Sequence, residues 1–389
     1  MKDWKKFISG KTFLAPLLAF LLFDLCLETD IYKPYLKKNS YAANVNRILN
    51  HTISMKEKHD PEILVMGTSV AFQGLSPRIL QEKIELTGKK IQSIAVPGSE
   101  LVVQHLVAKK ALENFQKVKL LVYIAEFTMP WVSKTDLTLP TLAMLGEFPK
   151  KEAINTINEF QYNLKYDDLG YILFKAIAYR RDLKDFLTDP NKRFKHINKT
   201  RKNPNLNFYD YENDKKEKIS SYEIKSLEEC LAKTKGFGEP PYPNSSFEHK
   251  KAIFETCDLG AKTINYIAEE TKKSGSTETK ETRLYFERLN KIFSQFREKN
   301  ISILVVFAPY SATMNGIYSK ERMDYWETEL KKIQGTNSQI LDLQNIFLGK
   351  DSNEFCYDTI HLNQDGMKMF SRILGERLAE KMKEYINEK

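Results

Sequence analysis

The chain has 389 residues, 42% of them apolar and 29% charged, with a formal net charge of +9. That length holds one large α/β domain with an insertion, or two domains, and the apolar share suffices for a buried core. Its 60 basic and 51 acidic side chains are interleaved, with no arginine-rich arm, zinc-finger spacing or RNA-binding aromatic signature. The charge therefore reads as a lysine-rich surface suited to an anionic membrane, and no nucleic-acid partner is expected.

Residues 1–11 carry Lys2, Lys5, Lys6 and Lys11 against one acid, Asp3, and an apolar run over 13–27 follows, broken by Pro16 and Asp24. A positive stretch before an apolar core is the pattern of an export signal. The run is shorter than the roughly 20 residues that span a bilayer comfortably. Yet no small-residue cleavage site follows Leu27, and Cys26 lacks a lipoprotein box. Residues 1–30 are expected to be an uncleaved signal anchor in preference to a cleaved signal peptide. The body would then be membrane-anchored on the extracytoplasmic (periplasmic or extracellular) side. Asp24 keeps open the third reading, an ordinary buried helix, because an acid in mid-span is costly.

After a connecting segment over 31–60, partly helical, the pattern becomes regular. Apolar runs over 62–67, 90–97 and 118–125 predict three buried strands. Helices are expected between them, over 76–86, opened by Ser76-Pro77, and over 100–115. The rhythm lapses over 126–280, which is expected to be an insertion or cap of mainly helical character. It holds helical pieces at 151–160 and 169–187 and a Gly/Pro-rich loop over 236–246. The α/β pattern returns with a helix over 281–300, a strand over 301–307, a helix over 319–333, a strand over 339–343 and a final helix over 364–387. Residues 61–125 and 281–389 together predict a three-layer α/β/α sandwich on a five-stranded parallel sheet, with right-handed crossovers. Ligand sites in such sheets lie beyond the carboxyl ends of the strands.

The four cysteines have no metal-type spacing; Cys230 and Cys257 flank the 236–246 loop and fit either a disulfide or two free thiols. His51, His59, His105, His196 and His249 lack paired ligand spacing and read as packing or surface residues. No Walker A, GxGxxG or HExxH motif occurs, and neither a cofactor nor a metal is expected.

Two segments fall at the carboxyl edge of the predicted sheet. Gly67-Thr68-Ser69 follows the first strand, where a turn can present the serine hydroxyl and glycine permits tight backbone. Asp358-Thr-Ile-His361 lies on the loop before the last helix. An Asp and a His three apart on a loop can face one pocket, the carboxylate fixing the imidazole so that it takes a proton from a hydroxyl. The plainer role for Asp358 and His361 is to cap the final helix, but the pairing with a post-strand serine is far more specific.

Together these segments resemble the SGNH (GDSL-like) hydrolase superfamily, through Gly67-Thr68-Ser69, where Thr68 replaces the usual aspartate, and Asp358-Thr-Ile-His361-Leu-Asn-Gln-Asp-Gly366. The resemblance covers roughly 62–125 and 301–389; with the N-terminal segment, it is nearest to membrane-bound members serving envelope acyl transfer. It implies Ser69 as nucleophile, His361 as general base and Asp358 as its orienting acid. The oxyanion donors would be the Ser69 N–H and the N–H of Gly98, after the second strand. The family's third donor, an asparagine after strand three, is missing: the strand runs into Glu126-Phe-Thr128. Thr128, or a group from the insertion, is the expected substitute donor, while an ionised Glu126 would repel an oxyanion and either binds a polar acceptor or is a solvated or helix-capping acid. Pro309 and Tyr310 lie at the same edge.

The implied activity is a cell-envelope serine acyltransferase or esterase, acting on an acylated envelope glycan or lipid. A non-catalytic module of the same fold, holding an envelope polymer or protein partner, is the competing class. Separation of Ser69 from His361 would favour that second class. Nothing in the sequence speaks to oligomeric state.

Overall fold

Four-residue Ile63–Met66 (β1) is apolar throughout and buried at every position, as a strand covered on both faces must be. The computed structural model describes residues 11–37, 40–126, 135–202, 213–236, 245–276, 278–315, 319–335, 339–347 and 349–387. β1 pairs in parallel with Ile91–Ser93 (β2) on one side and Leu120–Ala125 (β3) on the other. Ser302–Phe307 (β4) and Gln339–Asp342 (β5) extend the sheet, giving five parallel strands in the order β2-β1-β3-β4-β5. That is the flavodoxin-like order, whose switch point lies where β1 meets β3.

Contacts divide the chain into two units: Met1–Arg47 with Thr135–Pro204, and Ile48–Lys134 with Asn205–Lys389. The sheet belongs to the second unit. The stretch over 126–280 expected as one insertion is thus shared between the two.

In the sheet unit the helices, in chain order, are Ser69–Gly74 (α1), Pro77–Ile84 (α2), Leu101–Asn114 (α3) and Leu227–Thr234 (α4). They continue with Phe247–Ser274 (α5), Lys280–Arg297 (α6), Ala312–Asn315 (α7), Lys320–Gln334 (α8) and Gln364–Asn387 (α9). Two helix groups cover the sheet: α9 packs on α1 and α2, and α6 packs on α3 and α8. The result is a three-layer α/β sandwich. Aromatic contacts join layer to layer, with Tyr123 of β3 edge-on to Phe293 of α6 and Phe307 of β4 stacked on Trp326 of α8.

The helix termini follow the residues at their caps. Ser76 accepts the Ile79 N–H at 3.3 Å ahead of Pro77, and Thr279 and Thr282 form a reciprocal capping box at the start of α6. Four helices of the sheet unit are absent from the sequence reading: α1, directly after β1, the short α4 and α7, and the 28-residue α5. Most of the loop expected over 236–246 lies outside the described residues. Cys230 and Cys257 are disulfide-bonded, their Cα atoms 6.2 Å apart, and tie α4 to α5.

The other unit is helical among its described residues. Its core gathers Leu27, Ala42, Ala176, Ala178 and Tyr179, with Phe20, Tyr32, Leu36 and Leu183 against them. The helical stretch expected over 169–187 is three pieces, Tyr166–Leu173, Lys175–Ala178 and Arg180–Thr188. Two buried ion pairs lie here, Lys175 with Glu147 at 3.1 Å and Arg193 with Asp182 at 3.1 Å. Helix Lys11–Glu28 exposes Leu14, Leu17, Leu18, Leu21, Leu22, Phe23 and Leu25. Asp24 on the same helix is buried and accepts the Ala176 N–H at 2.8 Å. Among the described residues no helix is long and apolar enough to cross a membrane.

Candidate active site

β1 delivers its chain to the carboxyl edge of the sheet, and Gly67 turns it. Gly67 has φ +154°, and a Cβ there would sit 2.8 Å from the Ala71 Cβ and 2.9 Å from the Ile124 carbonyl oxygen. Only glycine lets the chain pass that close to β3. Thr68 then caps α1: its hydroxyl oxygen accepts the Val70 N–H at 3.4 Å, and its O–H donates to Oε2 of Glu126. Ser69 is the first residue of α1, half-buried, where a helix N–H has no partner within the helix.

The second segment is a closed turn. Cys356 and Leu362 form an antiparallel bridge, and the Tyr357 N–H donates to the His361 carbonyl at 2.8 Å. Inside it, Asp358 Oδ1 accepts the N–H groups of Ile360 and His361 at 2.9 and 2.8 Å. His361 Nδ1 lies 2.8 Å from Asp358 Oδ2, and Nε2 lies 2.8 Å from Ser69 Oγ. The carboxylate requires the proton on Nδ1, so Nε2 holds the lone pair and the serine hydroxyl donates to it. The chain therefore aligns Ser69, His361 and Asp358 in one hydrogen-bonded row.

The residues directly after His361 anchor the turn to α9. Leu362 is buried, and Asn363 Oδ1 accepts the N–H groups of Asp365 and Gly366 at the start of that helix. A Cβ on Gly366 would lie 2.1 Å from the Phe355 carbonyl oxygen. The turn is also held from outside. Ser311, after β4, donates to the Thr359 carbonyl at 3.0 Å, and Thr256 of α5 accepts the Thr359 N–H at 3.3 Å. His249 of α5, fully buried, places Nε2 2.6 Å from the Tyr357 carbonyl, so that nitrogen carries the proton.

Charge around the imidazole is balanced but not neutral. Burial opposes ionisation of Asp358, yet the charge and hydrogen bonds of His361 and the two backbone N–H groups outweigh it and hold the carboxyl below its ordinary range. Burial likewise lowers His361, but the Asp358 carboxylate wins and lifts it above its ordinary value. Lys215 pulls His361 down, and Glu126 pulls it up.

Gly98 lies at the same sheet edge, with φ +72°. The Val96 N–H donates to the Gly67 carbonyl at 3.0 Å, which ties the loop after β2 to the turn before Ser69. Among the described residues neither the Ser69 nor the Gly98 N–H donates to a backbone carbonyl outside the regular elements. Thr128 lies outside the described residues. Glu126 is beside the serine turn, engaged with Thr68. Tyr310 is buried at the end of β4. Among the described residues no group of three or more His, Cys, Asp or Glu side chains is arranged to hold a metal ion.

A protein-family model that carries no descriptive name matches residues 255–383. The match takes in Asp358 and His361 and begins well after Ser69. No curated protein matches the chain.

Sequence reasoning missed the roles of His249, Asn213 and Lys215, and it named Glu126 without its bond to Thr68. His249 reads as packing, Asn213 and Lys215 fall in a polar Lys/Asn-rich stretch, and the Thr68–Glu126 bond joins residues 58 apart. No local pattern marks any of them, because each acts through a tertiary contact.

Proposed function

We propose that this chain is a serine acyl-transfer enzyme of the SGNH type, acting on an O-acyl group. The observation that carries the reading is the 2.8 Å approach of Ser69 Oγ to His361 Nε2, with Asp358 on the far side of the ring. The Ser69 oxygen attacks the acyl carbon as its proton passes to Nε2, and the carbonyl pair becomes an oxyanion. The N–H groups of Ser69 and Gly98 face that charge. As the bond to the leaving oxygen breaks, His361 returns the proton to it, leaving Ser69 acylated. A second hydroxyl, of water or of a glycan acceptor, gives its proton to His361 and takes the acyl group, and Ser69 recovers its proton. The net change is one acyl group moved between two oxygens.

Two features favour a selective transferase over a broad esterase. The asparagine that supplies the third oxyanion donor in the resembled family is replaced after strand three by Glu126-Phe-Thr128, and one such donor is worth about 3 kcal/mol. The Glu126 carboxylate beside the serine turn also disfavours oxyanions, while offering an acceptor to a sugar hydroxyl. The site of action is an envelope glycan or lipid at the outer face of a membrane, with residues 1–30 as signal anchor. The basic run over 1–11, the exposed leucines after it and the Cys230–Cys257 disulfide support that placement.

The test is labelling by a fluorophosphonate probe. The wild-type chain should be labelled, and Ser69→Ala, with an unchanged thermal melt, should take up none. Equal labelling of the two proteins overturns the assignment.

A further inference from the structure

The two halves of the reaction centre arrive on separate elements, Ser69 on α1 and Asp358 with His361 on the turn before α9. A third segment stitches them together. Asn213 is fully buried, and its side-chain amide donates to the Leu362 carbonyl at 2.6 Å and to the Gln73 carbonyl at 3.2 Å. Leu362 is next to His361 in the chain, and Gln73 lies on α1 behind Ser69. The Asn213 side-chain oxygen accepts the Lys215 N–H at 3.1 Å, and the Lys215 carbonyl accepts the Gln364 N–H at 2.8 Å. The Lys215 ammonium rests 3.8 Å from the centre of the Tyr357 ring and donates to Gln73 Oε1 at 3.4 Å. One short segment thus bonds to both carriers through side chains and backbone alike.

We propose that Asn213 and Lys215 are positioning residues, Asn213 locking the Ser69 helix to the Asp358–His361 turn and Lys215 keeping a cation against Tyr357 beside that pair. The inference rests on the acyl-transfer reading of the site. A drift of about 1 Å between nucleophile and base is expensive, and the Asn213 amide adds a directional polar tie to the packing of α9 on α1. Burying the Asn213 amide is favourable only while both carbonyls receive it, so the closed arrangement is the one it stabilises.

Lys215 adds an electrostatic role. The charged groups acting on His361 are Asp358 on its own turn, Lys215 from the stitching segment and Glu126 after β3. The two acids favour the imidazolium and the lysine opposes it. A base that must be neutral to accept the serine proton gains from that opposition near neutral pH.

The test follows the His361 ring by NMR against pH, with the ring signals assigned by their loss in H361N. Wild type, K215M, K215R and N213A are compared, and each is also timed with the fluorophosphonate probe. In K215M the His361 midpoint should move to higher pH, and K215R should keep it in place. N213A should slow labelling about tenfold or more through misalignment. If N213A fails to fold, N213Q, which keeps the donor on a longer stem, should slow labelling in the same way. A K215M midpoint equal to wild type, or wild-type labelling rates in the Asn213 variants, overturns the proposal. If wild type takes no probe while the K215M midpoint still moves, the acyl-transfer reading fails and the placement of Lys215 stands.

Discussion

The hydroxyl of Thr68 donates to the carboxylate of Glu126, joining the residue before Ser69 to the residue after β3. Two departures from the resembled motif, a threonine for the usual aspartate and an acid where an asparagine is expected, are therefore one interaction. The pair braces the serine turn against β3, and in the proposed reaction it would set a negative charge near the oxyanion.

Replacing that acid separates the two effects. Glu126→Gln keeps an acceptor for Thr68 and removes the charge. Fluorophosphonate labelling should accelerate about three- to tenfold. The pH midpoint for labelling should also fall, since Glu126 raises His361. A rate and midpoint equal to wild type would mean that the carboxylate does not sense the reacting atoms.

Asp358→Asn tests the orienting acid. An amide there no longer demands a proton on Nδ1, so the ring loses its tautomer and Nε2 its free lone pair. The labelling rate should drop by about 10³- to 10⁴-fold. A drop under tenfold would show that His361 holds its orientation without Asp358.

The pH dependence has a defined sign. His361 is lifted above the ordinary imidazole value of 6.5, so labelling should rise with pH through a midpoint above that value. Its contribution to stability is complete below 6.5 and is lost as pH rises through the folded midpoint. Asp358 is held below 3.8, so its contribution is present above that value and is lost as pH falls through the folded midpoint. Thermal melts against pH, compared between wild type and H361N, should show the first of these losses only in wild type.

Gly67 and Gly366 are held by close backbone approaches. Gly67→Ala places a methyl 2.9 Å from the Ile124 carbonyl oxygen at a φ of +154°. It should cost about 2–3 kcal/mol by urea unfolding. Gly366→Ala, facing the Phe355 carbonyl at 2.1 Å, should cost at least as much. Wild-type stability in either variant would contradict the packing described.

The Cys230–Cys257 disulfide closes a loop with a sequence separation of 27. Removing it as Cys230→Ser should cost about 3–4 kcal/mol by chain-entropy reasoning, measured as the shift in urea midpoint. Free-thiol titration of the unfolded, unreduced chain should find Cys26 and Cys356 only.

Strands β1, β3 and β4 were legible in the chain because a strand buried on both faces must be a short apolar run, and such runs stand out whatever surrounds them. Expected strands at 62–67 and 118–125 correspond to Ile63–Met66 and Leu120–Ala125, and their alternation with helices implies five parallel strands. Helix α5 stayed hidden because no strand alternates with it and its polar residues mask its periodicity. The stretch after β3 was equally opaque. Its first half joins the N-terminal residues, an association set by packing between segments far apart in the chain.

Ser69, Asp358 and His361 could be picked out from residue type and local spacing, because a hydroxyl, an imidazole and a carboxylate at strand ends carry their chemistry with them. Their alignment could not. The 2.8 Å between Ser69 and His361 closes a separation of 292 residues, and Asn213, Lys215 and His249 contact the segments that carry the pair. Those three act through hydrogen bonds and ring contacts made in space, and linear order holds no record of such a partner until the chain has folded.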